Sequence, residues 1–218
     1  MTFLATLDRL SNLYGPVARM IEAENPRTII DLASGSGQSA IKATTTARSR
    51  GTSLTLTDKF PNESLVKSGL FQLSRLDLLT DELPPTEMYT IFNAFHHFDA
   101  KQRKEIAIKA VKSGGSFLVI EPLRPRIDIF FKVFFATFIG PFLLAPFMRP
   151  FSFKWILLTY LFPIGVLTTC YDGLASVIKS LSFAEWNDLE SELSRHGRKV
   201  EHGLLPSRFA KLKYFLVK

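Results

Sequence analysis

The chain has 218 residues, 46% of them hydrophobic and 22% charged, with a single cysteine and a formal net charge of +7. That length buries one substantial core, so a single domain with a modest insertion is expected. Cys170 alone cannot make an internal disulfide, and no Cys/His cluster has zinc spacing, so no metal is expected and a reducing cytoplasm fits. The opening MTFLATLDRL carries Asp8 and no sustained apolar run, which argues against a cleaved signal peptide.

In chain order, LATLDRLSNLYGPVARMIEAE reads as a roughly amphipathic helix with a break at Gly15-Pro16. RTIIDL is a short β-branched apolar run and predicts a buried strand, GQSAIKATTTARSR a helix, SLTLTD a strand and NESLVKSGL a helix. FQLSRLD and EMYTIFNAF read as strands, AKQRKEIAIKAVK as a helix and GSFLVIEPL as a strand. Strands alternating with helices at this spacing predict βαβ units and a parallel sheet covered on both faces. From Ile127 to Cys170 the chain is almost wholly apolar and aromatic. The rhythm returns at SFAEWNDLESEL, with Ser182 and Glu185 spaced as a capping box, and RKVEHGLL and KLKYFLVK close the chain as strands.

The stretch TIIDLASGSGQSA joins a strand to a helix through two glycines spaced one apart. Such a turn brings backbone close to a ligand and aims helix N–H groups at it. Gly35, Gly37 and Ala40 satisfy the dinucleotide pattern G-x-G-x-x-A. Yet Asp31 closes the strand before the glycines, where a pyrophosphate gains nothing from a carboxylate. Asp58 and Asp77 end two further strands. Three such acceptors suit an amine-bearing or cationic ligand with a ribose and an adenine.

In these segments the sequence resembles the class I S-adenosylmethionine-dependent methyltransferases. IIDLASGSG is similar to their first motif, LTLTDKFPN to the second strand, RLDLLTDELP to the third, and IFNAFHHF to the fourth strand leading into the transfer site. The resemblance spans about residues 1–126 and 170–218. It implies an α/β, Rossmann-like fold: a seven-stranded, mostly parallel sheet with helices on both faces, plus an apolar helical insertion. The methyltransferase domain would be 1–126 and 171–218, and the insertion 127–170. It also implies S-adenosylmethionine as cofactor. Asp31, Ala33, Gly35 and Gly37 would hold its methionine part, Asp58 the ribose, and Asp77 and Leu78 the adenine, with Lys59 after the second strand and Asn93 at the end of the fourth also at the cofactor. Ala33 departs from the family, which often has its first glycine there; alanine suits that position if φ is negative.

Methyl transfer from a sulfonium is an in-line displacement, so positioning does most of the work. An oxygen nucleophile must also lose a proton, which a neutral histidine can accept near pH 7. NAFHHFD offers His97 and His96, with Asp99 close by. Adjacent residues on an extended segment point to opposite sides, so one of the two faces substrate, and His97 is favoured over His96. Alternatively both shape the pocket at the strand end. Glu121 either orients substrate or pairs with Arg124 or Arg126, the pairing being favoured.

The insertion holds two runs of sixteen residues without a formal charge, Val133 to Met148 and Trp155 to Cys170. A spanning helix needs about 20 residues, and Gly140, Pro141, Pro146 and Pro163 would interrupt these. Arg149 and Lys154 would lie at the tip of a hairpin, and Arg124, Arg126 and Lys132 at its base. Basic residues flanking aromatic-rich apolar segments suit a monotopic element on an anionic membrane; a lid over a lipophilic pocket and a buried dimer interface are the rivals. Residues 101–218 hold eighteen Lys/Arg against nine Asp/Glu, but clustered around apolar aromatics rather than as the hydrophilic stripe that nucleic acid wants. The leading expectation is methyl transfer to an oxygen or nitrogen of a lipophilic small molecule or lipid, at the inner face of the membrane and without nucleic acid. An RNA methyltransferase, a non-catalytic membrane scaffold and a nicotinamide-dependent dehydrogenase are the alternatives.

Overall fold

The computed structural model describes residues 12–61, 71–145, 153–206 and 211–218. The helix read from NESLVKSGL, the first eleven residues, Pro146 and Arg149 lie outside them. By contacts the described chain divides into two units, residues 12–122 with 183–218, and Leu123–Ser182.

The larger unit is a seven-stranded sheet in the order β3-β2-β1-β4-β5-β7-β6. Its strands are β1 Thr28–Asp31, β2 Ser53–Asp58, β3 Gln72–Arg75, β4 Met88–Phe92, β5 Ser116–Glu121, β6 Val200–Pro206 and β7 Lys211–Val217. The first five run parallel, and β7 lies antiparallel to both β5 and β6. Every residue of β4 is buried, as expected for a central strand covered on both faces.

Side-chain alternation divides the core into two layers. Leu118 and Ile120 of β5, with Leu212 and Leu216 of β7, join Val17, Ile21, Ala40, Ala43 and Ala47 on one face. These last come from helices α1 (Gly15–Glu24), α2 (Gln38–Ala43) and α3 (Thr45–Ser49). On the other face Trp186, from the helix Phe183–Arg195, packs on Phe215 and Phe95, and Phe95 packs on Phe117.

Three local readings shift. The break at Gly15-Pro16 is the start of α1, with Pro16 in its first turn where its missing N–H costs nothing. The helix read over residues 37–50 is two pieces hinged at Thr44, whose hydroxyl bonds Ala40 O at 2.7 Å, while Thr45 bonds Ile41 O at 2.9 Å. Threonines bonding back to their own turn bend a helix. The strand read over 87–95 ends at Phe92, because Asn93 takes a φ of 55° and Phe95–His97 form a single 3-10 turn.

The smaller unit is helical. Its helices are Ile127–Leu144, Phe153–Ile156 continued as a π-turn over Leu157–Leu161, and Ile164–Lys179. The last runs unbroken through 170, so the boundary expected there falls inside a helix, and the contact boundary lies at 182. Gly140 and Pro141 do not end the first helix as expected. Pro141 removes one helical N–H, and the helix runs on through it for one further turn to Leu144. Pro163 does interrupt, its ψ of 33° separating the π-turn from the next helix. The two long helices meet where a Cβ on Gly173 would lie 2.9 Å from Thr137 Cγ2 and 3.0 Å from Val133 Cγ1. Their large side chains point outward instead. Ile127, Phe131, Phe135, Phe138, Ile139 and Leu143 form one exposed stripe, and Ile164, Leu167, Tyr171 and Ile178 another. Among the described residues no helix is long and apolar enough to cross a membrane.

Candidate functional site

The glycine turn leaves the end of β1 and is tied to the end of β2. Asp31 O accepts from Thr57 Oγ1 at 2.8 Å and from Ser34 Oγ at 2.9 Å, while Ser34 N–H donates to Thr57 O at 2.9 Å. Alternate residues along the turn are left-handed: Ala33 at φ 50°, Gly35 at 52° and Gly37 at 65°. Ala33 thus lacks the negative φ at which alanine is tolerated without strain. The curve needs a left-handed residue at all three places, and alanine fills the first at a cost of roughly 1–2 kcal/mol. At Gly35 an added Cβ would meet nothing within 4 Å, so open space lies beside the backbone there. Gly37 leads directly into α2.

The three acids differ in environment. Asp31 is 1% exposed and its Oδ1 accepts from Thr90 Oγ1 at 2.7 Å. Burial pushes its carboxyl up to about 7; hydrogen bonds from Ser34 and Thr90 oppose this, and the negative Asp58 adds to it. Asp58 sits across from the turn, with Oδ2 accepting from Gly35 N–H at 2.8 Å and Oδ1 from Phe60 N–H at 2.9 Å. Each oxygen keeps a further lone pair for hydroxyl donors. Asp77 pairs with Lys59 Nζ at 2.9 Å and accepts from Leu79 N–H at 3.1 Å. The Lys59 hydrogen bond, then that of Leu79, holds its carboxyl below the ordinary value. Leu78 is buried, and its carbonyl accepts from Lys109 Nζ at 2.9 Å.

Beyond β4 the chain turns through Asn93 into the histidines. His96 is buried and His97 exposed, their rings 4.3 Å apart. A 3-10 turn rather than an extended segment carries both, which is why adjacent rings come so close. Glu121, buried at the end of β5, accepts from His96 N–H at 3.1 Å and meets His96 Nδ1 at 2.8 Å. A carboxylate only accepts, so Nδ1 carries the proton and Nε2 keeps a lone pair. Nε2 is buried without a partner among the described residues. The expected pairing of Glu121 with Arg124 or Arg126 gives way to this one, and Arg126 bonds Asp128 at 2.8 Å instead. Asp99 caps the helix Ala100–Lys112 through a reciprocal capping box with Gln102. That role occupies it.

Three contributors were not singled out from the sequence. Arg103, nearly buried, donates to Phe95 O at 3.3 Å and to Glu185 at 3.2 Å, and so braces the histidine turn. Tyr14 and Ser39 bond the Asn93 amide at 2.7 and 3.1 Å. The sequence did hold a signal for Glu121: it ends the strand next to β4, and parallel neighbours place their ends side by side.

The turn is open beside Gly35, and Asp58 at the end of β2 faces it. No family model and no curated protein matches the sequence. Solved structures do. The chain is similar to human N-acetylserotonin methyltransferase in complex with S-adenosylmethionine, at 16% identity and a TM-score of 0.56 over 94% of this chain and 51% of that one. It is similar to an O-methyltransferase from neocarzinostatin biosynthesis, in complex with S-adenosylmethionine and 2-hydroxy-5-methyl naphthoic acid, at 18% identity and a TM-score of 0.58 over 97% and 55%. A plantazolicin methyltransferase in complex with S-adenosylhomocysteine matches at 13% identity and a TM-score of 0.57 over 99% and 88%. The chain spans about half the length of the first two. These likenesses define the fold as that of the class I S-adenosylmethionine-dependent methyltransferases.

Proposed function

We propose that the protein is an S-adenosylmethionine-dependent methyltransferase acting on a hydroxyl of a lipophilic small molecule or lipid at an anionic membrane surface. The glycine turn and Asp58 would hold the methionine and ribose parts of the cofactor, and Asp77 with Lys59 the adenine side. When bound, the cofactor supplies an electrophilic methyl on a sulfonium. The observation that carries the reading is the His96–Glu121 pair. Glu121 fixes the proton on Nδ1, so that Nε2 can take the hydroxyl proton as the oxygen attacks, and the imidazolium that forms is stabilised by the carboxylate beside it. His97, exposed beside it, would orient the acceptor.

The membrane part of the proposal is supported by the outward stripes of the smaller unit. Its helices meet through a glycine and keep phenylalanine, leucine and isoleucine outside, the arrangement of helices in lipid rather than in water. Residues 123–182 carry six Lys/Arg against two Asp/Glu, which suits anionic headgroups. Each helix lies in one leaflet.

Calorimetric titration with S-adenosylmethionine, followed by a labelled-methyl assay on a lipid extract, tests the activity. Flotation with liposomes tests the location. Binding should rise with anionic lipid and fall when 123–182 is replaced by a short polar linker. A chain that ignores liposomes and dimerises in solution would assign those stripes to a second copy.

A further inference from the structure

Lys213 is a lysine that the fold has taken out of water. It lies in β7, whose alternate residues divide between the two faces of the sheet. Leu212, Tyr214 and Leu216 pack on the α1 face, so Lys213 and Phe215 point to the other. There Lys213 is 2% exposed, and its Nζ stands 4.3 Å from the ring centroid of Phe183 and 5.3 Å from that of Trp186. The aromatic faces attract the ammonium. A leucine would fill such a place with no loss of hydration, whereas a buried charge persists only where an opposite charge answers it.

The strand register brings an acid to it. Lys213 stands directly opposite Glu121 in the antiparallel pair of β5 and β7, and opposed residues share a face with their Cβ atoms about 4.5–5.5 Å apart. Glu121 is 1% exposed and is the carboxylate that holds His96. A buried carboxylate alone beside a histidine draws a second proton onto the ring and removes the lone pair a base needs. A cation beside the carboxylate offsets that pull. The other charged or titratable groups around the ring are Arg103, Glu185, Asp99 and His97. Arg103 and Glu185, from the helices Ala100–Lys112 and Phe183–Arg195, pair with each other at 3.2 Å. Asp99 is engaged at its helix cap, and His97 lies on the same turn as His96. Arg103 and Glu185 largely cancel, which leaves Lys213 to balance Glu121.

We infer that Lys213 is a positioning residue for the transfer: its buried ammonium balances Glu121, so that the carboxylate orients His96 without charging it and Nε2 keeps the lone pair that takes the hydroxyl proton. The role as base rests on the function proposed above; the charge balance is read without substrate. The test is heteronuclear NMR of the full chain labelled at its four histidines, with His96→Ala assigning the signal. At pH 7 the wild-type His96 ring should be neutral with its proton on Nδ1. Lys213→Met keeps the bulk, removes the charge and should turn the ring into imidazolium. In the methyl-transfer assay the acid limb of its kcat/KM profile should move up by about one pH unit or more. Lys213→Arg keeps the charge, can stack on the same rings, and should match wild type in both measurements. Lys213→Met combined with Glu121→Gln removes both charges and should return the ring to neutral. An unchanged His96 signal in Lys213→Met, or a loss of turnover equal at every pH, would overturn the inference. If Lys213→Met does not fold, the double variant decides, because a buried pair is lost with less damage than one of its partners. A folded double variant with a neutral ring then bears the inference out, and an unfolded one overturns it. A wild-type chain that methylates nothing removes the proposed function, while the NMR comparison still decides the charge balance.

Discussion

Glu121 holds His96 twice, through the backbone N–H at 3.1 Å and through Nδ1 at 2.8 Å. One carboxylate thereby sets both the position of the turn and the tautomer of the ring. His96→Ala should lower turnover about 10²-fold or more with cofactor affinity unchanged. Glu121→Gln should lower it by a similar factor, and the double variant should be little worse than either single one, since the two act as a unit. His97→Ala should cost less than about tenfold. Steady-state kinetics on the four variants decide; additive losses would separate the pair, and a larger effect at His97 would exchange the roles.

Asp58 accepts from Gly35 N–H at 2.8 Å, so it both shapes the turn and offers acceptors to a ribose. Asp58→Ala should weaken S-adenosylmethionine roughly ten- to a hundredfold, the worth of one charge-assisted hydrogen bond. Unchanged affinity by calorimetry would move the ribose site elsewhere.

Ala33 stands at φ 50° in a turn whose other two left-handed residues are glycines. Ala33→Gly removes the Cβ penalty of about 1–2 kcal/mol but adds freedom to the unfolded chain. The net expectation is a stabilisation of up to about 1 kcal/mol, read as an increase in urea midpoint. A lower midpoint would mean that the turn does not hold Ala33 left-handed in solution.

Asp31 titrates near 7 in the fold, against 3.8 for an ordinary carboxyl, because it is buried. The folded value is the higher one. Between about pH 4 and 7 the folded chain therefore keeps a proton that the unfolded chain has lost. This group favours folding most at low pH and progressively less as pH rises to about 7, by on the order of 4 kcal/mol in all. Urea unfolding at pH 5 and pH 8 should show wild type losing more stability across that interval than Asp31→Asn does. Parallel losses would place the carboxyl's titration outside the window.

Gly173 brings the two long helices of the smaller unit together. A side chain there would press on Thr137 Cγ2 and Val133 Cγ1 at 2.9 and 3.0 Å, and β-branched neighbours have little freedom to yield. Gly173→Leu should destabilise that unit by roughly 1–3 kcal/mol, seen as faster proteolysis between residues 123 and 182. Proteolysis no faster than wild type would show that the helices do not pack so closely.

Much of the fold was legible because its signals are local. Apolar runs such as TIID and SLTLTD, with helical stretches between them, declare a parallel sheet through periodicity alone. The spaced glycines Gly35 and Gly37 after Asp31 declare a tight strand-to-helix turn, because adjacent residues must cooperate in one bend. The apolar character of 127–170 was equally plain, as was its helical form. What lay beyond the sequence was set by neighbours distant in the chain. The φ of Ala33 follows from hydrogen bonds to Thr57, and the burial of His96 rather than His97 from a 3-10 turn braced by Arg103. The His96–Glu121 and Tyr14–Asn93 pairs join residues 25 and 79 positions apart, and each depends on which strands and helices the sheet order sets side by side. Local sequence specifies which elements form; the packing of those elements in one sheet decides which buried donor meets which acceptor, and which acceptor is left open.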